Sequence, residues 1–359
     1  MAANSARLFA VWAQQRPFFV GELMNICKPE YYDRFRCLAG ACPDSCCQDW
    51  TVQVDEKSAA FYRSLPGALG DRLREVLEDG EDGVTLTLQK GRCPMWEADG
   101  LCRIQRELGE ERLCQVCRDF PRLRHDYGSF QELGLELSCP QAAKLILADD
   151  TGALCSSEIP GDAEADWEEE VLDLLRTARE TMHAILSEDR PFGECLALAL
   201  LYGCQVQSAL DGGELGEFDR EAALTEGRSL AKPGDMGEIL DFFAGLERLT
   251  SRWDARLQNP RPASWEEGHR ALGRYFVNRY FFQALSDYDI YSRVKFMIAA
   301  CLVICYLGGD LLETAQLFSK EIENDADNLD TILDAAYTHP AFRDDRLLGL
   351  LLDPATFSK

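Results

Sequence analysis

The stretch CLAGACPDSCCQDW, Cys37 to Trp50, packs four cysteines into eleven residues, two of them adjacent. Thiols this crowded, punctuated by Gly40 and Pro43, belong on turns, where successive side chains point inward and backbone N–H groups face the sulfurs. Working outward, Cys93 and Cys102 follow with eight residues between them, then Cys114 and Cys117 with two, then Cys139 in LSCP. Pro94, Gly100, Pro121 and Pro140 keep the same turn chemistry beside them. The competing reading, in which individual thiols are small buried hydrophobes, applies to single cysteines better than to the set of nine.

Fifteen cysteines occur in the 359 residues, and ten precede residue 140. No export signal is read at the N-terminus, because Gln14, Gln15, Arg16 and Pro17 interrupt any continuous apolar core of a leader, and Met24 offers a second start. A cytoplasmic chain keeps its thiols reduced, which favours metal ligands over disulfides. Zinc and a 4Fe-4S cluster both accept four thiolates. Only His125 lies in this region, and an all-thiol environment leans toward the cluster, with zinc the alternative. The nine candidate ligands are Cys37, Cys42, Cys46, Cys47, Cys93, Cys102, Cys114, Cys117 and Cys139, enough for one site with spare thiols or for two.

The expected fold is mainly α: an N-terminal cysteine-rich, metal-binding α+β module with short strands, followed by a C-terminal α-helical bundle. WTVQVD alternates like a brief strand, Asp55 caps the helix begun by EKSAAFYRSL, and GVTLTLQKGRC reads as a second strand. From about residue 165 the helical period takes over. WEEEVLDLLRTARETMHAIL puts Trp167, Val171, Leu174, Leu175, Met182 and Ile185 on one stripe, and DMGEILDFFAGLERLTSRW reads as one further helix. The linker chemistry of PGDAEAD, Pro160 to Asp166, sets the expected division: extension 1–26, cysteine-rich domain 27–160, helical domain 161–359.

Acidic residues outnumber basic ones 62 to 37, a formal net charge of −25, which argues against nucleic acid and suits a cationic, lysine-bearing protein partner. The longest apolar run, FMIAACLVICYLGG at Phe296 to Gly309, is too short to span a bilayer and reads as a buried core helix, so no membrane is expected. No glycine-rich strand-to-helix turn announces a Rossmann-like nucleotide site. The CQVC stretch at Cys114 to Cys117 lacks the βαβ context of a thiol redox protein.

PEYYDRFRCLAGACPDSCCQDWTVQVD, RCPMWEADGLCRIQRELGEERLCQVCRDFPR and LSCP together resemble the signature of the flagellin lysine-N-methylase family, which is related to the zinc- or iron-chelating CxxCxxCC proteins. The likeness continues more faintly through RYFVNRYFFQALSDYDIYSRVKFMIAACLVI and FSKEIENDADNLDTILD. The leading cysteine spacings here are wider than CxxCxxCC. The resemblance implies methyl transfer from S-adenosylmethionine to lysine ε-amines of flagellin by a protein carrying an iron-sulfur cluster. The alternative is a non-catalytic zinc- or iron-binding interaction protein.

Methyl transfer to an amine needs a neutral lysine, so a base must take its proton. Asp49, Asp55, Asp119 and Tyr32 are the candidates beside the cysteines, with Asp44 near them. Trp50, Arg118 and Arg122 are the candidates for meeting the donor, by cation–π contact with its sulfonium or by pairing its carboxylate. Tyr275, Asn278 and Arg279 stand among aromatic residues at helical spacing, where core packing is the commoner role.

Overall fold

The structure, a computed structural model, describes residues 23–80, 83–160 and 167–357. The N-terminal extension up to residue 22 and nearly all of the PGDAEAD linker lie outside the described residues. The molecule is mainly helical, with an N-terminal α+β region followed by helices.

Among the described residues, seven short strands form two sheets. β1 (Leu23–Pro29), β5 (Arg122–Asp126), β6 (Phe130–Leu135) and β7 (Leu154–Pro160) are ordered β5-β6-β1-β7, with β1 parallel to β6 and antiparallel to β7. β2 (Val52–Val54), β3 (Leu77–Gly80) and β4 (Gly83–Leu86) form a smaller antiparallel sheet ordered β2-β4-β3. WTVQVD and GVTLTLQKGRC supply β2 and β4 as their alternation requires.

Between the strands lie α1 (Glu56–Ser64), α2 (Gly67–Val76), α3 (Arg103–Leu108), α4 (Gln115–Asp119) and α5 (Pro140–Leu147). Asp55 caps α1, its Oδ1 accepting from the Ser58 N–H at 2.9 Å. Its Oδ2 accepts from the Gln115 N–H at 2.9 Å, so one carboxylate starts two helices.

The helical part begins with α6 (Glu169–Leu186), α7 (Phe192–Leu210), α8 (Arg220–Leu230), α9 (Met236–Ala244) and α10 (Ser251–Gln258). It continues with α11 (Glu267–Tyr280), the single turn α12 (Ala284–Asp287), α13 (Tyr291–Leu307), α14 (Leu311–Phe318), α15 (Ala326–Thr338) and α16 (Asp344–Leu352). The buried face of α6 runs through Leu172, Leu175, Ala178, Met182 and Ile185, while Val171 and Leu174 sit half-buried at its edge. DMGEILDFFAGLERLTSRW is two helices, α9 and α10, rather than one. The chain breaks after Ala244 because Glu321 captures the Leu249 N–H at 2.7 Å and the Thr250 hydroxyl. The expected core helix is α13, wholly buried from Ser292 to Cys305. No helix among the described residues is long and apolar enough to cross a membrane.

The core is in two parts. The larger joins the helical body to Tyr31, Phe35, β6 and α5, and takes in Cys139. The smaller is built from β2, β4, α1 and α2 and takes in Cys93 and Cys114. The cysteine loop lies where the two meet.

Candidate functional site

Two short helical turns, Tyr32–Arg34 and Ala39–Ala41, carry the chain into the cysteine loop. The loop is tied by its own polar groups: the Ala39 N–H donates to Cys37 Sγ at 3.4 Å, the Cys47 N–H to Ser45 Oγ at 3.1 Å, and Trp50 Nε1 to the Cys46 carbonyl at 2.8 Å. Gly40 lets it press against the turn between Cys93 and Cys102, since a Cβ there would stand 3.0 Å from the Asp99 carbonyl oxygen. The end of the loop is laced to the next cysteine: the Cys93 N–H donates to the Cys47 carbonyl at 2.7 Å and the Asp49 N–H to that of Gly91 at 2.9 Å. Trp96 and Cys102 close a bridge in turn.

Three of the nine sulfurs stand at helix N-caps: Cys102 before α3, Cys114 before α4 and Cys139 before α5. The free N–H groups of a first turn favour a thiolate there. Burial opposes them and, with neighbouring thiols, pushes Cys93 up to about 12 and Cys139 to about 11. Within Cys46/Cys47 and Cys114/Cys117 one thiol donates to the other. That hydrogen bond lowers Cys47 and Cys114, while Cys46 and Cys117 are raised. Neighbouring thiols that disfavour one another's charge are the donor set a thiophilic cation accepts, since the cation supplies the charge that ionises them. The chemistry of the donors thus fits a thiolate-bound metal. As placed, no group of three or more His, Cys, Asp or Glu side chains among the described residues is gathered to hold an ion.

The helical body reaches this loop through α14 and the π-helical turn that extends it, Ser319–Glu323, all five residues buried. Gln316 Nε2 donates to Asp44 Oδ2 at 2.9 Å and to the Ser138 carbonyl at 2.7 Å, bridging the Cys42–Cys46 segment to the one that ends in Cys139. Lys320 Nζ, 5% exposed, pairs with Asp49 at 3.0 Å and with Asp44 at 3.4 Å. Asp49 is held at φ 72°, a left-handed conformation that only a few residue types tolerate.

One turn further, Glu323 accepts from the Tyr275 hydroxyl at 3.0 Å and the Tyr280 hydroxyl at 2.8 Å, and Arg279 Nη1 donates to Tyr275 Oη at 2.7 Å. Arg279 also faces Glu136, whose carboxyl burial pushes up and whose oxygen accepts from Ser138 at 2.9 Å. A buried polar network therefore stands directly behind Cys139. Tyr275 and Arg279 belong to it, whereas Asn278 faces His183 at 2.8 Å.

Among the other candidates, Asp55 is the helix cap already described, and Asp119 lies exposed 3.7 Å from Arg118. Trp50 meets Phe120 edge-on at 5.3 Å, beside Cys46 and just beyond Cys117. Arg122 lies over the Phe35 ring at 5.2 Å, and its charge and that of Arg124 reach the half-buried Tyr32. Asp49 and Trp50 thus sit at the loop end, with Tyr32 and Arg122 together on the other flank. Gln316, Lys320 and Glu323 were missed from the sequence, because LLETAQLFSKEIE mixes polar and apolar residues and nothing local says which of its polar groups are buried. A cavity of about 30 Å³ between Tyr31, Leu135, Tyr275 and Arg279 would hold water but not a nucleoside.

No protein-family model matches the chain, and no solved structure matches it. Among curated proteins it is similar to the Lysine-N-methylase of Salmonella typhimurium, 30% identical over 147 residues that make up 38% of this chain and 35% of that protein. The Lysine-N-methylase of Salmonella choleraesuis is 29% identical over the same shares. The Flagellar biosynthetic protein FliU of Salmonella muenchen is 30% identical over 138 residues, 35% of this chain and 79% of that protein. The match thus spans about a third of the lysine-N-methylases' own length. With thirty per cent identity across most of the FliU protein, the chain belongs to the flagellin lysine-N-methylase family.

Proposed function

We propose that the protein is a protein-lysine N-methyltransferase that acts on flagellin, uses S-adenosylmethionine as donor and carries a cysteine-bound 4Fe-4S cluster, zinc being the alternative metal. The similarity to proteins named for lysine N-methylation carries this reading. In the transfer, the lysine ammonium first gives up a proton, and the donor's methyl carbon–sulfur bond then breaks, the sulfur leaving as a neutral thioether, as the bond to the neutral lysine nitrogen forms. Asp49 is the residue of this chain best placed to take that proton. It is one-third exposed at the mouth of the thiol loop and is oriented by the buried Lys320. A bound cluster would take its ligands from the nine thiols and would supply a Lewis-acidic iron.

The test is a transfer assay with the anaerobically purified full chain, S-adenosylmethionine and unmethylated flagellin, read by peptide mass spectrometry. One added methyl on named lysines, strongly reduced in Asp49→Asn, is the expected result. Flagellin left unchanged by a metal-replete protein would sink the reading and favour a non-catalytic metal-binding protein.

A further inference from the structure

The nine thiols do not share one environment. Cys47, Cys93, Cys102, Cys114 and Cys117 all pack on the smaller core, within the segment laced together by the Cys93–Cys47 and Trp96–Cys102 backbone contacts. Cys139 belongs to the larger core, while Cys37, Cys42 and Cys46 belong to neither. Cys139 nonetheless stands near Cys37 and Cys42, and Cys46, which contacts Cys47 and lies near Cys117, also stands near Cys37 and Cys139. What brings residue 139 to residues 37–46 is the helical body. Gln316 spans Asp44 and Ser138, and Lys320 anchors Asp44 and Asp49 from the same buried turn.

We propose that the thiols serve two separate metal centres: an inner one drawn from Cys47, Cys93, Cys102, Cys114 and Cys117, and a seam one of Cys37, Cys42, Cys46 and Cys139 assembled by Gln316 and Lys320. This rests on the reading that the thiols hold metal, and is independent of methyl transfer. The inner set, with Cys93 and Cys114 buried, has the enclosed character of a structural site; the seam set, with Cys37 and Cys46 exposed, keeps an approach from solvent. The Cys46–Cys47 contact marks the border between the two.

The experiment is iron, sulfide and zinc analysis of the full chain isolated anaerobically, with electron paramagnetic resonance after reduction, for the native protein and for Cys102→Ser, Cys139→Ser and Gln316→Leu. Expected is a native protein with the complement of two centres, of which Cys102→Ser loses one and Cys139→Ser the other. Gln316→Leu, which keeps all nine thiols, should lose the same centre as Cys139→Ser, with unchanged far-ultraviolet circular dichroism as the check on folding. A native protein with a single centre or no metal, or Cys102→Ser and Cys139→Ser depleting the same metal and the same signal, overturns the proposal. Gln316→Leu with full metal overturns the role given to the clamp. Both centres intact in a protein that fails to methylate flagellin would remove the methylase reading and leave this one standing.

Discussion

Lys320 is a cation placed almost out of solvent, and its worth depends on keeping both aspartates of the cysteine loop in reach. Lys320→Met would leave Asp44, itself largely covered, without a counter-charge. Because Asp49 remains one-third exposed and water screens it, the expected loss is about 2 kcal/mol rather than the full cost of a deeply buried pair, measured by urea unfolding. The histidines make a second prediction at this scale. Burial draws His183 and His269 down to about 4, below the 6.5 of an exposed ring, so each is neutral in the folded protein. His269 Nδ1 accepts from the Glu266 N–H at 3.1 Å, which protonation would forbid. The unfolded chain takes up protons first as pH falls. The stability these rings contribute is therefore complete above about 6.5 and is lost progressively toward pH 4. Thermal melts across that window should show a slope that decreases by about one proton in a His183→Gln variant.

At the scale of elements, the end of α13 turns on Gly308, at φ 61° and ψ −156°, a region open to glycine alone. A Cβ there would fall 1.7 Å from the Arg261 carbonyl oxygen, which the chain brings alongside to pair with residue 308. Gly308→Ala should cost roughly 3 kcal/mol or more in denaturant unfolding, far above an ordinary exposed substitution. The π-helical turn after α14 has a comparable role. By widening one turn it aims Lys320 at the cysteine loop, Glu321 at the α9–α10 break and Glu323 at Tyr275, Tyr280 and Arg279.

At the scale of the molecule, the net charge of −25 sets up a field that draws basic surfaces and repels acidic ones. Association with a lysine-bearing protein should slow by about tenfold or more between low and near-molar salt, chiefly through the on-rate, as stopped-flow measurement would show. A salt-independent on-rate would mean that the field plays no part in encounter.

Much of this was legible in the sequence. The thiol crowding of Cys37 to Trp50, the Asp55 cap, the two strands flanking it and the apolar α13 follow from local chemistry, because turns, caps and periodicity are written over a few neighbouring residues. The parallel pairing of β1 with β6, the division of thiols between two cores and the break between α9 and α10 were not. Each depends on residues far apart in the chain: Asn25 with Phe130, Cys139 with Cys37, Glu321 with Leu249. Composition by itself set the cysteine framework and the acidic surface. Only the tertiary structure decided that Gln316 and Lys320, nearly two hundred residues after Cys139, complete the place where the cysteines meet, since a buried amide and ammonium are stable only where folding supplies their acceptors.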